Sequence, residues 1–257
     1  VASTSVEQLE LTMIEREALR ADRFVGKCEL VRGYALEYKD ANFFAKLAYQ
    51  RAFLSQVRCI QSALPNQVID SLKQAVQDFV TGFELGYPTE AIEVSNWFYR
   101  SLVVNDLSLS HFLAALPDEL WPYGDAFSRF QAHWGFAQLR GQREQASHAL
   151  ERLYGVCFES DEEMISDENG RRMRQLLKNS YHLMHAIFMK DSDSVITALH
   201  ERTRLRSIIP AEGTRYELFQ PLDLLGLGLC RLAILSGIAI NIEVPSLPMA
   251  LLGVGSQ

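Results

Sequence analysis

Apolar residues recur three and four positions apart along most of this chain, and the rhythm breaks at residues that stop helices, which restricts the fold to packed helices. Residues 6–24 place Leu9, Met13, Ile14, Leu19 and Phe24 near one face, with glutamates and arginines on the other. Residues 41–64 carry Phe43, Phe44, Leu47, Ala48, Phe53, Leu54, Val57 and Ile60, and stop at Pro65. A third stretch, 65–86, repeats the pattern with Val68, Ile69, Leu72, Val76, Phe79, Val80 and Phe83. Past Tyr87-Pro88-Thr89 a helix runs through Trp97, Phe98 and Leu102, and a short one follows over 109–116. Gly141 divides 123–140 from 142–154 and suits a left-handed C-cap, whereas Lys190-Asp191 divides 170–189 from 192–206, with Asp191 or Ser192 as N-cap.

Each break turns the chain back, so the expected fold is all-α: antiparallel helical hairpins packed as an irregular helical-repeat-like bundle. The spacing is uneven and no consensus position recurs, so a true solenoid does not follow. Only residues 238–244 alternate like a strand, with Ile238, Ile240, Ile242 and Val244 on one side, which predicts one short extended segment near the C-terminus. The chain reads as a single helical domain over 1–257, with 117–122 as the place where it would subdivide.

A formal charge of -7 argues against binding nucleic acid, because neutralising phosphates needs a clustered basic surface. Cys28, Cys59, Cys157 and Cys230 lie too far apart for a zinc motif or a disulfide framework, and they read as small buried hydrophobes. The first residues lack a basic and apolar leader pattern, so a cytoplasmic location is expected. Residues 222–242 are apolar at nearly membrane-spanning length, but Asp223, Arg231 and the Ser236-Gly237 stop favour a buried core helix and no membrane partner.

Catalytic chemistry is scarce. His182 and His185 stand one helical turn apart and could share a metal, but no accompanying Glu-His pattern supports it, and their neighbours look like core. Residues 158–170 hold six acids, yet counting back from Gly170 puts Ile165 at the first ligand position of a calcium loop, so a solvated acidic loop is the better reading. No phosphate-binding glycine loop and no nucleophile elbow occurs. A protein without enzymatic activity, cofactor or metal is expected.

Charge distribution is more informative. Residues 65–128 hold nine acids against Lys73 and Arg100, whereas 171–206 hold eight bases against three acids. Such asymmetry can steer a basic protein partner. Within the acidic stretch, Glu84, Glu90 and Glu93 bracket the Gly86-Tyr87-Pro88 turn, and Asp118, Glu119 and Asp125 surround Trp121 and Tyr123. Carboxylates interleaved with large aromatics make these eight residues the candidate partner-binding surface, with the acidic 159–168 loop next in line. The competing account makes Trp121 core and the acids solubilising charge.

The C-terminal run Pro221-Leu222-Asp223-Leu224-Leu225-Gly226, then Leu232-Ala233-Ile234, Gly237-Ile238, Ile240-Asn241-Ile242 and Pro245-Ser246-Leu247-Pro248 before Leu251-Leu252, resembles the ending of the immunity protein 49 family of bacterial polymorphic-toxin systems. Ala41-Asn42-Phe43-Phe44-Ala45 and the hairpin at Gly141 are also similar to that family, though the last forty or so residues carry most of the likeness. The resemblance implies a non-enzymatic helical inhibitor, encoded beside a toxin, that binds the toxin domain and protects the producing cell. It further implies a metal-dependent nuclease of the HNH or endonuclease VII kind, delivered by contact-dependent or type VI secretion. A basic nuclease cleft would match the acidic surplus. A helical adaptor or regulatory scaffold would share the same hairpins and the same lack of motifs, while an enzyme would need His182 and His185 or a pocket under Trp97, Trp121 and Trp134.

Overall fold

The computed structural model describes residues 2–60, 64–159, 168–207, 222–242, 244 and 246–253, and among them there are ten α-helices and no strand. The all-α expectation therefore holds. The chain forms two compact units, Val1–Pro88 and Thr89–Gln257, so residues 117–122 lie inside the second.

The first unit holds α1 (Ala2–Glu37), α2 (Ala41–Ile60) and α3 (Pro65–Glu84). Pro65 starts α3 at its first turn, where its missing N–H costs nothing. Phe44, Leu47, Ala48 and Val57 of α2 and Val68, Leu72, Val76 and Phe79 of α3 are fully buried, as their spacing predicts. A β-carbon on Gly82 would lie 3.0 Å from the Ala41 carbonyl oxygen, so α3 approaches α2 closely there. The sequence reading of α1 needs correction. Leu19 and Phe24 are exposed, and from residue 16 onward the helix buries Ala21, Cys28 and Ala35 instead, one every seven residues, while the side chains of Leu9, Met13 and Ile14 lie outside the described residues. Small side chains let α1 lie close on its neighbours, and that geometry leaves the larger ones outside. Buried Asp78 of α3 meets Arg32 Nη1 of α1 at 2.6 Å and Arg51 Nε of α2 at 2.8 Å, so one carboxylate ties three helices together.

The second unit runs α4 (Ala91–Val103), α5 (Leu107–Ala114), α6 (Ala126–Leu139), α7 (Arg143–Tyr154), α8 (Glu168–Met189), α9 (Ser192–Ser207) and α10 (Leu224–Leu235). Helix α4 is its centre, packed on α5, α6 and α10 with Trp97, Phe98, Tyr99 and Leu102 fully buried. A β-carbon on Gly228 of α10 would come within 2.7 Å of the Tyr99 carbonyl oxygen, which explains a glycine inside an apolar helix by packing. Gly141 adopts φ +68° between α6 and α7, and the Gln142 N–H donates to the Ala137 carbonyl at 2.8 Å, the C-cap expected from sequence. Lys190 takes the same left-handed role between α8 and α9 at φ +58°, and Asp191 is the N-cap of α9, accepting from the Ser194 N–H at 3.1 Å.

Asp223 begins α10. One of its oxygens accepts from the Gly226 N–H at 2.9 Å and from Arg202 Nη2 at 2.9 Å, and the other accepts from Arg202 Nε. Arg202 also donates to the Ser180 hydroxyl at 2.8 Å, so α8, α9 and the start of α10 converge on one buried ion pair. After Gly237, Ile238, Ile240 and Ile242 are buried while Ala239 and Asn241 are exposed. The predicted extended segment keeps its two-residue alternation without pairing to a strand; beyond it, Val244 and Leu247 form a single antiparallel bridge. Cys28, Cys157 and Cys230 are buried free thiols, with burial pushing Cys157 up to about 11 and Cys230 up to about 12, and Cys59 is half-buried.

Candidate partner-binding surface

The connection from α5 to α6 folds back on the N-terminus of α4. The Ala91 N–H donates to the Tyr123 carbonyl at 2.8 Å, and Glu90 and Tyr123 form a parallel bridge. Gly124 at φ +119° permits this approach, since a β-carbon there would stand 2.9 Å from the Ala91 nitrogen. Glu90, Glu93, Asp118, Glu119, Tyr123 and Asp125 are thereby gathered on two adjoining segments of the second unit. Glu84 lies at the exposed C-terminal end of α3 in the first unit.

Several of these carboxylates have local duties that the sequence reading did not assign. Glu93 accepts from the Thr89 hydroxyl at 3.0 Å and the Glu90 N–H at 3.2 Å, completing a capping box for α4. Asp125 caps α6 through the Ser128 N–H at 2.8 Å. Asp118 faces His133 Nε2 at 3.2 Å. Burial lowers the His133 pKa and Arg129 adds to the drop, while Asp118 pulls it back up. Glu119 is exposed on the 3-10 turn Asp118–Leu120.

Trp121 is corrected as an anchor: it is 0 % exposed, packed edge-on against His133 and Phe136 with the Arg129 guanidinium near its ring. An indole in the core cannot insert into a partner. Tyr123, 73 % exposed, is the aromatic that faces solvent, and Leu120 beside it is half exposed. Leu120 was not singled out from the sequence; an apolar residue inside an Asp-Glu-rich turn was its one signal. Next to Asp118, a cleft of about 640 Å³ opens among α5, α6 and α7, lined in part by Phe130, His133, Arg140, His148 and Arg152.

Several arginines of the basic stretch 171–206 have acidic partners close at hand. Arg171 and Arg172 pair with Glu168, Arg204 pairs with Glu201, and Arg202 and Arg206 face Asp223. Hydrogen bonds from Arg171 and Arg172 hold Glu168 below the usual carboxylate range. Residues 160–167 of the acidic loop lie outside the described residues. His182 contacts Phe158 and Tyr181, and His185 stacks on Tyr181; among the described residues no group of three histidines, cysteines or acids could hold a metal ion. Trp97, Trp121 and Trp134 are all fully buried. No helix among the described residues is long and apolar enough to cross a membrane.

The model of the immunity protein 49 family matches residues 44–251, most of the chain. The chain belongs to the immunity protein 49 family. No curated protein and no solved structure matches it. The family match begins at Phe44 and covers α3 to α10, so both segments of the candidate surface lie inside it and α1 lies outside. The C-terminal residues that first suggested the family turn out to be structural: Asp223 caps α10 and holds Arg202, and Gly237, at φ +86°, ends the helix.

Proposed function

We propose that this immunity protein binds and neutralises a cognate bacterial toxin domain, a basic, metal-dependent nuclease, without catalysis of its own and in the cytoplasm of the producing cell. The family match over 44–251 is the observation that supports this reading most strongly. The acidic surplus supports the nuclease part, because a protein that grips phosphates presents a cationic cleft and complementary potentials speed its capture. The contact is formed by Glu90, Glu119, Leu120 and Tyr123 of the second unit, with Tyr123 as the aromatic anchor. Glu93, Asp118 and Asp125 shape this surface rather than meet the toxin, since each already serves a cap or the His133 pair.

Co-expression with the toxin encoded beside it tests the function: the chain restores growth, and soluble protein that gives no rescue refutes the reading. For the surface, Glu119→Lys with Tyr123→Ala slows association and speeds dissociation, with the charge effect largest at low salt. Stability stays within about 0.5 kcal/mol, because both side chains are exposed. Unchanged kinetics at low ionic strength place the contact elsewhere, and a nuclease-free toxin domain rescued equally well removes the nuclease assignment while leaving immunity intact.

A further inference from the structure

Helix α1 carries one continuous outward stripe in steps of three and four: Arg16, Arg20, Arg23, Lys27, then Leu30, Tyr34 and, at the helix end, Tyr38. All seven are exposed, with Leu30, Tyr34 and Tyr38 at 83 %, 66 % and 77 %. The stripe is divided end from end, cations in its first half and apolar rings in its second. Leu19, Phe24 and Val31 flank it, also exposed. Leu30, Val31, Tyr34 and Tyr38 thus form an exposed apolar cluster at one end of the stripe, and Leu19 and Phe24 give the cationic end apolar edges. On the other side α1 is seated through Ala21, Cys28 and Ala35, so the stripe is not a face waiting for its own core.

We infer that this stripe is a self-complementary interface through which two copies of the chain pair antiparallel along α1. The division of the stripe carries the argument. A twofold axis between Lys27 and Leu30 sets the Arg23 guanidinium of one copy over Tyr34 of the other, lays the Lys27 stem on Leu30, and brings Arg20 to Glu37 and Tyr38. Cations over aromatic faces and aliphatic stems over leucine satisfy both halves at once, and the same contacts repeat by symmetry. Parallel pairing would instead stack four cations on four. Arg20 is shared with Glu17 of its own helix, an exposed pair one turn away that is cheaply exchanged. A lipid surface fits less well: an interfacial helix carries cations along the flanks of a continuous apolar face, whereas here they occupy the centre of half the stripe.

Sedimentation equilibrium on the full chain reads the outcome directly, and the expected mass is twice 29.1 kDa at tens of micromolar, relaxing to one chain on dilution. Arg20→Glu with Arg23→Glu, and separately Tyr34→Lys with Tyr38→Lys, each weaken self-association at least tenfold, while circular dichroism and the melting temperature, taken at dilutions where the unaltered chain is single, stay unchanged because all four side chains are exposed there. Mixing the two variants restores a dimer, since the new carboxylates of one chain then face the new lysines of the other and the remaining half of the interface is native. A single-chain mass for the unaltered protein overturns the inference. So does a mixture that stays monomeric, or a monomer that instead co-sediments with anionic phosphatidylserine vesicles and loses this with the same substitutions. Self-association is independent of which toxin the chain meets, so failed rescue and failed pairing are read separately.

Discussion

Both units bury a carboxylate between two arginines, and the two sites have opposite electrostatic character. Asp223 in the second unit would be raised by burial, but Arg202 and Arg206, the directed Arg202 hydrogen bonds and the Gly226 N–H outweigh it and hold the carboxyl below its ordinary value. For Asp78 in the first unit burial prevails over Arg32 and Arg51, Glu29 adds like charge, and the carboxyl is raised. No backbone N–H donates to Asp78, and its site opens on a cavity of about 380 Å³ lined by Glu29, Arg32, Arg51, Gln74, Gln77 and Asp78 itself. The difference lies in the donors: the Gly226 N–H and directed Arg202 hydrogen bonds favour the charged form of Asp223, whereas no backbone N–H offsets the burial of Asp78.

Truncating Arg202 gives the largest effect. Arg202→Ala leaves Asp223 buried without its bidentate partner and costs about 3–5 kcal/mol. Trp97, Trp121 and Trp134 all lie in the second unit, so tryptophan fluorescence during urea unfolding follows that unit alone. The pH dependence follows from the depressed carboxyl: Asp223 contributes fully above its unfolded pKa near 4 and its contribution fades as pH falls through the lower folded value. Wild type and Asp223→Asn therefore converge in stability on acidification. For Asp78 the sign reverses, because a raised folded pKa makes ionisation a cost that is relieved toward acid. A gap at Asp223 that widens toward acid would break the contrast.

Gly228→Ala comes next, at about 2–3 kcal/mol, because the new methyl meets the Tyr99 backbone rather than a side chain that can turn away. Gly82→Ala in the first unit has slightly more room and costs about 1–2 kcal/mol by the same reasoning. Equal losses would mean that α10 can shift on α4. Asp78→Asn follows at under about 1 kcal/mol, since the amide removes a carboxylate whose ionisation is itself a cost, and Arg51 keeps Glu29 and Gln74 as partners. A loss as large as that at Arg202 would erase the difference between the two sites. Lys190→Gly is smallest and favourable, about 0.5 kcal/mol, read as a rise in melting temperature, because glycine adopts the φ of +58° without strain.

The helices and their ends were legible because they depend on local chemistry. Pro65 could only start a helix, Gly141 sat where a left-handed residue was needed, and Asp191 preceded an amphipathic run. The face of α1 was not legible, because Ala21, Cys28 and Ala35 carry too little hydrophobicity to outweigh Leu19 and Phe24 in any periodicity count; contact with other helices decided it. The candidate surface was half legible for a related reason. A glutamate that caps a helix and one that meets a partner are the same residue in a sequence, so Glu93 and Asp125 were indistinguishable from Glu119 until their donors were in place. Trp121 and Tyr123 stand two positions apart in an acidic turn, and only the fold sends one inward and the other out.

The buried thiols turn the molecule into its own clock. A cysteine that is both enclosed and held protonated is unreactive until the structure around it opens. Cys28 sits in the first unit, and Cys157 and Cys230 in the second. With Cys59 replaced by serine to remove the most accessible site, the rate at which a disulfide reagent consumes each remaining thiol counts the openings of its own unit. Whether the two units breathe together or apart can thus be timed by following the mass of each modified cysteine peptide, with toxin present or absent.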